Sequence, residues 1–256
     1  MRTNFDFLLE DPQFEPFAEA SVSAERVLPI SPALCATACR TALEFAVKWV
    51  YSVDASLAEP YEEKLVTLIS TEDIKELLPL GMIAKLDYIR RVGNNAAHNP
   101  KGTSRDQAIL ALQNLHSFLD FVAYCYGTDY TEIPFDKSML DIEVRVPVAM
   151  PKDVNFQTLL KENFPKREKL TAKRAAQLKR GYIVKPMDMT EAQTRKAYID
   201  VMLQDSGWQR GANWMDEYPI DEMPNKSGVG FADYVLLGDN GLPLAVIEAK
   251  RTSVNV

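Results

Sequence analysis

Read as a pattern of apolar and polar positions, the chain changes character twice. From Pro32 the apolar residues Leu34, Ala38, Ala42, Phe45 and Trp49 recur at helical spacing, which predicts an amphipathic helix from Pro32 to about Tyr51. Ser31 precedes it as N-cap, with Pro32 in the first turn. Similar spacing predicts helices near Ala18–Val27, Tyr61–Ile69, Thr71–Leu78, Ile83–Val92 and Ser104–Tyr126. Thr71 and Ser104, the latter with Gln107 three residues on, suit capping. Gly93-Asn94-Asn95 suits a helix end. Residues 1–130 therefore read as an all-α domain. A short alternating piece, Asp141–Val148, contains a proline that demotes it to an edge strand or linker.

The second change comes near Lys152, where a helical or spacer segment becomes strongly basic. Residues 151–187 hold 10 Lys/Arg against 3 Asp/Glu, whereas 1–150 hold 13 against 22 and 188–256 hold 6 against 11. The net charge of −7 hides this segregation, so it does not argue against a polyanionic partner. Lysines and arginines in such a stretch would contact phosphates without reading sequence. Between Phe164 and Arg180 no aromatic residue interleaves with them, so base stacking lacks a platform there. Residues 131–187 read as a linker containing this basic helix.

The third region, 188–256, begins with a helix from Glu191 to about Asp205, capped by Thr190 and closed by Gly207. It ends in two β-branched apolar runs flanking Gly238-Asp239-Asn240-Gly241, the chemistry of a hairpin turn. Asp233 stands on the first run, Glu248 and Lys250 on the second. With a loop of even length all three project from one face, and Asp233 lies opposite Val246 or Glu248 depending on the turn. A loop of odd length would turn Asp233 away unless a bulge restored it. Phe231, Val235 and Val246 share that face, and two carboxylates and an ammonium among them are costly without a partner. Mg²⁺ is the natural partner, because it takes oxygen ligands from one or two carboxylates plus phosphate and water. The metal would acidify a bound water, and the lysine would orient that water or stabilise phosphate charge. The pattern reads as a metal-dependent phosphodiesterase.

The stretches F-A-D-Y-V-L and V-I-E-A-K resemble the Asp and Glu-x-Lys strands of the PD-(D/E)XK nuclease core. Together with T-E-A-Q-T-R-K-A-Y-I-D-V-M-L-Q-D-S-G-W (Thr190–Trp208), they resemble the amino-terminal part of the restriction (R) subunit of type I restriction-modification enzymes. The resemblance implies an α+β chain of two domains, an all-α bundle and an incomplete α/β PD-(D/E)XK core. It implies Asp233 and Glu248 as Mg²⁺ ligands, Lys250 serving the attacking water, and Glu191 as a further acidic contribution to the metal shell. Its substrate would be double-stranded DNA, its partners the modification and specificity subunits. ATP would enter only through motor domains, of which this chain shows no P-loop. Arg210 and Lys226 are further candidates for phosphate contact.

Within the helical part, I-R-R-V-G-N-N-A-A-H-N-P (Ile89–Pro100) resembles the Arg-x₄₋₆-His signature of HEPN-type domains, here Arg91 and His98. That resemblance implies either metal-independent RNA cleavage or a structural role at helix ends. A non-catalytic docking module for the other restriction subunits is the main alternative to the nuclease. The chain is expected to end as an amino-terminal fragment of the longer family protein. Three cysteines without zinc spacing, no signal-peptide pattern and no run long enough to span a membrane point to reduced thiols in the cytoplasm.

Overall fold

The computed structural model describes residues 2–141, 153–184, 198–221, 229–238 and 240–249. The chain forms two compact units, Met1–Lys185 and Pro186–Val256, and its class is α+β.

The first unit is a helical bundle: α1 (Glu15–Arg26), α2 (Pro32–Val53), α3 (Leu65–Leu68), α4 (Glu72–Leu77), α5 (Met82–His98), α6 (Arg105–Tyr126), α7 (Phe156–Asn163) and α8 (Arg167–Leu178). Helices α2 and α6 are its spine, because both are apolar on most sides. Leu43, Val47, Trp49 and Val50 of α2, and Leu112, Leu115, Leu119 and Val122 of α6, are all essentially buried. The ring of Trp49 meets Phe14, Phe17 and Tyr126 edge-on at 5.4–5.7 Å between centroids. Although α6 is long and apolar enough to cross a membrane by composition, most of it is buried inside this bundle.

The caps behave as their chemistry requires. The Leu34 amide donates to Ser31 Oγ at 3.3 Å, and the Ile74 amide to Thr71 Oγ1 at 3.4 Å. Ser104 and Gln107 form a reciprocal capping box at the head of α6. Two helices depart from expectation. The segment from Tyr61 is helical only over Leu65–Leu68. Conversely, α5 does not stop at Gly93-Asn94-Asn95 but runs on to His98. Gly93 is where α5 presses against α2: a Cβ there would lie 2.5 Å from Arg40 Cβ and 3.0 Å from the Ala36 carbonyl oxygen. The glycine serves a close helix crossing, not a terminus.

The basic segment expected within a linker over 131–187 belongs to the first unit as far as Lys185. Phe156 and Leu159 of α7 are buried. Arg167 of α8 donates to the carbonyls of Tyr51, Asp54 and Leu57 at 2.9–3.3 Å. Arg174 donates to both carboxylate oxygens of Asp54, at 2.8 and 3.1 Å, and Lys173 to the carbonyls of Tyr126 and Gly127. Helix ends leave carbonyls without intrahelical partners, and these basic side chains satisfy them. The alternating piece 141–148 lies outside the described residues apart from Asp141.

In the second unit, a short helix α9 (Asp200–Asp205) accompanies a three-stranded antiparallel sheet of order β1 (Trp214–Asp221), β2 (Val229–Leu237), β3 (Pro243–Ile247). Leu203 of α9 packs with Trp214 and Tyr234, joined by Ile199, Trp208, Leu236 and Ile247. Tyr234 Oη donates to Asp200 Oδ1 at 2.6 Å, tying helix to sheet. Strand β1 has no counterpart among the elements expected from the sequence, because Pro219 and the carboxylates Asp216, Glu217 and Asp221 break up its alternation.

Candidate functional site

The hairpin β2–β3 is where the candidate residues come together. Its ladder pairs Leu237 with Pro243, then Leu236 with Ala245, Val235 with Val246 and Tyr234 with Ile247. Between Leu237 and Pro243 lie Gly238 to Leu242, a loop of odd length. The turn closes through Gly238 N–H donating to the Leu242 carbonyl at 2.9 Å and Gly241 N–H to the Gly238 carbonyl at 2.8 Å. Gly241 has φ +74°, which a residue with a Cβ rarely adopts. The register then shifts between Leu236 and Leu237, leaving Leu244 as the extra residue. This bulge undoes the inversion that an odd loop would impose.

The ladder ends at Tyr234–Ile247, and its register continued by one pair would set Asp233 opposite Glu248. Asp233 Oδ2 accepts a hydrogen bond from the Ala249 amide at 2.7 Å. The contact crosses from β2 to the residue after Glu248 and holds the Asp233 carboxylate against that end of the hairpin. Asp233 is half-buried and Glu248 exposed. Around them the apolar face is uneven: Val235 is buried, while Phe231 is 67% and Val246 56% exposed. Lys250 and Glu191 lie outside the described residues, as does Lys226.

Strand β1 adds a residue that the sequence pattern did not single out. Its ladder pairs Asp216 with Tyr234 and Tyr218 with Ala232, so Glu217 falls opposite Asp233 on the other side. Glu217 is exposed and has φ 51°, in the left-handed region, so the ladder is broken there. Only knowledge of β1 and its register could have placed it. Arg210 is engaged by Asp216 through a bidentate ion pair, with Nε donating to Oδ1 at 3.0 Å, and its guanidinium lies 5.9 Å from the Trp214 ring centroid. This local pairing occupies the side chain offered as a phosphate contact.

Carboxylate oxygens facing each other across a ladder suit a hard, oxygen-seeking cation such as Mg²⁺, and Asp233 with Glu248 supplies that donor type. Among the described residues, no group of three or more His, Cys, Asp or Glu side chains is placed to hold a metal.

The second candidate, on α5, is arranged differently. Arg91 Nε donates to Asp87 Oδ2 at 2.6 Å, and Arg90 binds Asp87 Oδ1 at 2.7–2.9 Å. Burial alone would raise the Asp87 pKa; the two arginines outweigh it and hold the carboxyl below its ordinary value. His98 is the last residue of α5 and is exposed. It follows Arg91 by seven residues, two turns along one face, or about 10 Å of helix rise.

Residues 22–143, which hold α2 through α6, match the family model DUF4145, a domain of unknown function. No curated protein and no solved structure matches the chain.

Proposed function

We propose that the second unit carries a Mg²⁺-dependent DNA endonuclease site of the PD-(D/E)XK kind, and that the chain is the amino-terminal part of a type I restriction R subunit. The observation that supports this reading is the Ala249 amide donating to Asp233 Oδ2 at 2.7 Å, at the end of a bulged β2–β3 register that, continued by one pair, brings Asp233 opposite Glu248. Asp233 and Glu248 would hold the ion. When bound, Mg²⁺ supplies Lewis acidity toward the phosphate and a more acidic water. The Lys250 amine would orient that water and offset charge on the phosphate oxygens. Glu191 would add a further acidic group to the shell. The helical unit, with a core of its own, would dock the modification and specificity subunits, in the cytoplasm.

The test is nicking of supercoiled plasmid with Mg²⁺, by this chain and by the assembled complex containing it. Asp233→Asn and Lys250→Ala are expected to slow cleavage by on the order of a hundredfold or more, while leaving ATP hydrolysis by the assembled complex intact. Wild-type nicking in either variant would refute the assignment. The buried core of the helical unit supports a second reading, a docking module without catalysis. Co-purification with the other subunits that depends on the helical unit, with no Mg²⁺-dependent nicking, would decide for it.

A further inference from the structure

The cationic side chains of the basic segment fall on two faces. Arg167, Lys173 and Arg174 face the bundle and are consumed by its carbonyls and by Asp54. Lys161, Lys166, Lys169, Lys179 and Arg180 are exposed, and none of the five makes an ion pair among the described residues. On α8 and its flanks, positions 166, 169, 172, 176 and 180 follow one another at intervals of three or four, so they form one stripe. The exposure pattern agrees: Ala172 and Ala176 are exposed between the two cationic ends. From Lys166 to Arg180 the stripe is about 21 Å long at helical rise. Glu162 and Glu168 are the exposed carboxylates of the same 161–180 stretch, leaving a cationic excess.

Residues 165–180 hold no aromatic, but at the head of the stripe, just outside them, stands Phe164, between α7 and α8 and 71% exposed. A phenylalanine so placed forgoes the stabilisation that burial gives a large apolar side chain. The surrounding packing does not require it outside: Phe156 and Leu159 already seat α7, and Asn163 Nδ2 donates to Ser52 Oγ at 2.9 Å. Arg167, Thr171 and Arg174 pin α8 and Asn163 pins the end of α7, so the aromatic ring and the cations stand on anchored helices.

We propose that this outward face of α7–α8 binds single-stranded nucleic acid, with Lys161, Lys166, Lys169, Lys179 and Arg180 following the phosphates and Phe164 stacking on a base. Exposed cations along the stripe and its flanks complement a chain of phosphates, and an exposed aromatic ring complements an unstacked base. A duplex would satisfy the cations but would offer Phe164 no accessible base face. The surface belongs to the first unit and does not depend on the nuclease reading.

The experiment measures anisotropy of labelled oligo(dT) and oligo(rU) of about 20 nucleotides with the whole chain in EDTA, where Mg²⁺-dependent cleavage does not occur. If all five cations engage, affinity should fall about a hundredfold between 50 and 200 mM salt. Lys166→Ala/Lys169→Ala/Lys179→Ala should lower the magnitude of the log–log salt slope by about 2. Phe164→Ala should weaken binding roughly five- to a hundredfold and leave the slope unchanged. Unchanged melting of these surface variants would show that the fold is intact. Equal binding of the two oligomers supports shared phosphate and base-face recognition; a preference for one identifies the source. Binding indifferent to both sets of substitutions, duplex preferred over single strand, or adsorption only to anionic lipid vesicles would each overturn the proposal. Loss of this binding with plasmid nicking intact would retract the surface and leave the nuclease reading standing.

Discussion

Glu25 shows how much a single carboxyl can depend on its surroundings. It is 5% exposed, and both its oxygens accept from the Asn4 amide, at 3.0 and 3.2 Å. Burial pushes its pKa up to about 7, with Asp6 adding to the rise and Asn4 and Arg26 opposing it. Because the folded state holds this proton more tightly than the unfolded chain, the contribution to stability is full below the ordinary carboxyl value. It is lost as pH rises through about 7. Between pH 4.5 and 7 the loss from this group should be on the order of 3 kcal/mol. Glu25→Gln, which keeps an acceptor for the Asn4 amide, should flatten that slope. Urea midpoints of the two proteins at matched pH values would measure the difference; parallel pH profiles would show that Glu25 does not titrate in this range.

At the scale of the element, the crossing of α2 and α5 turns on Gly93. Two effects compete in Gly93→Ala. Helix propensity favours alanine by about 1 kcal/mol. Against it, the new methyl would meet Arg40 Cβ and the Ala36 carbonyl, which cannot swing aside as the end of a long side chain could. Overpacking of this kind costs about 1–3 kcal/mol, so the crossing should win and the variant should melt lower. A variant at least as stable as the parent would mean that the helices can separate at little cost. The hairpin obeys a similar logic. Its odd loop and its bulge are each a defect alone; together they restore the register that, continued past Tyr234–Ile247, leads Asp233 toward Glu248.

Across the whole molecule, the most consequential tie spans more than a hundred residues. Asp54, fully buried, is bound by Arg174 and receives the Tyr126 hydroxyl at 2.7 Å. Burial by itself would raise the Asp54 pKa; hydrogen bonds from Arg174, Ser56 and Tyr126 overcome it and hold the carboxyl below its ordinary value. Arg174→Ala would leave a buried carboxylate without its cation, at a cost of about 3–5 kcal/mol. Unfolding curves should show that loss, and α8 amides should exchange faster with solvent. A loss under about 1 kcal/mol would mean that the pair is solvated like a surface ion pair.

Much of this is legible in the sequence itself. The spacing of Leu34, Ala38, Ala42, Phe45 and Trp49, and the capping residues Ser31, Thr71 and Ser104, specify helices by local rules. The turn chemistry after Leu237 specifies a hairpin in the same way. Such features depend on neighbours within a few residues, and a sequence displays those neighbours directly. Other outcomes depended on partners far along the chain. Gly93 reads as a helix end until α2 is laid across it. The cations of α8 read as one solvated set until Asp54 and the carbonyls of α2 and α6 claim the inner ones and leave the outer row exposed. The placement of Asp233 between Glu217 and Glu248 required β1, whose carboxylates and proline obscured it, and a bulge that turn residues alone do not announce. Local propensity chose the elements, while close packing and the need to satisfy buried charge and backbone carbonyls chose which of their side chains face solvent.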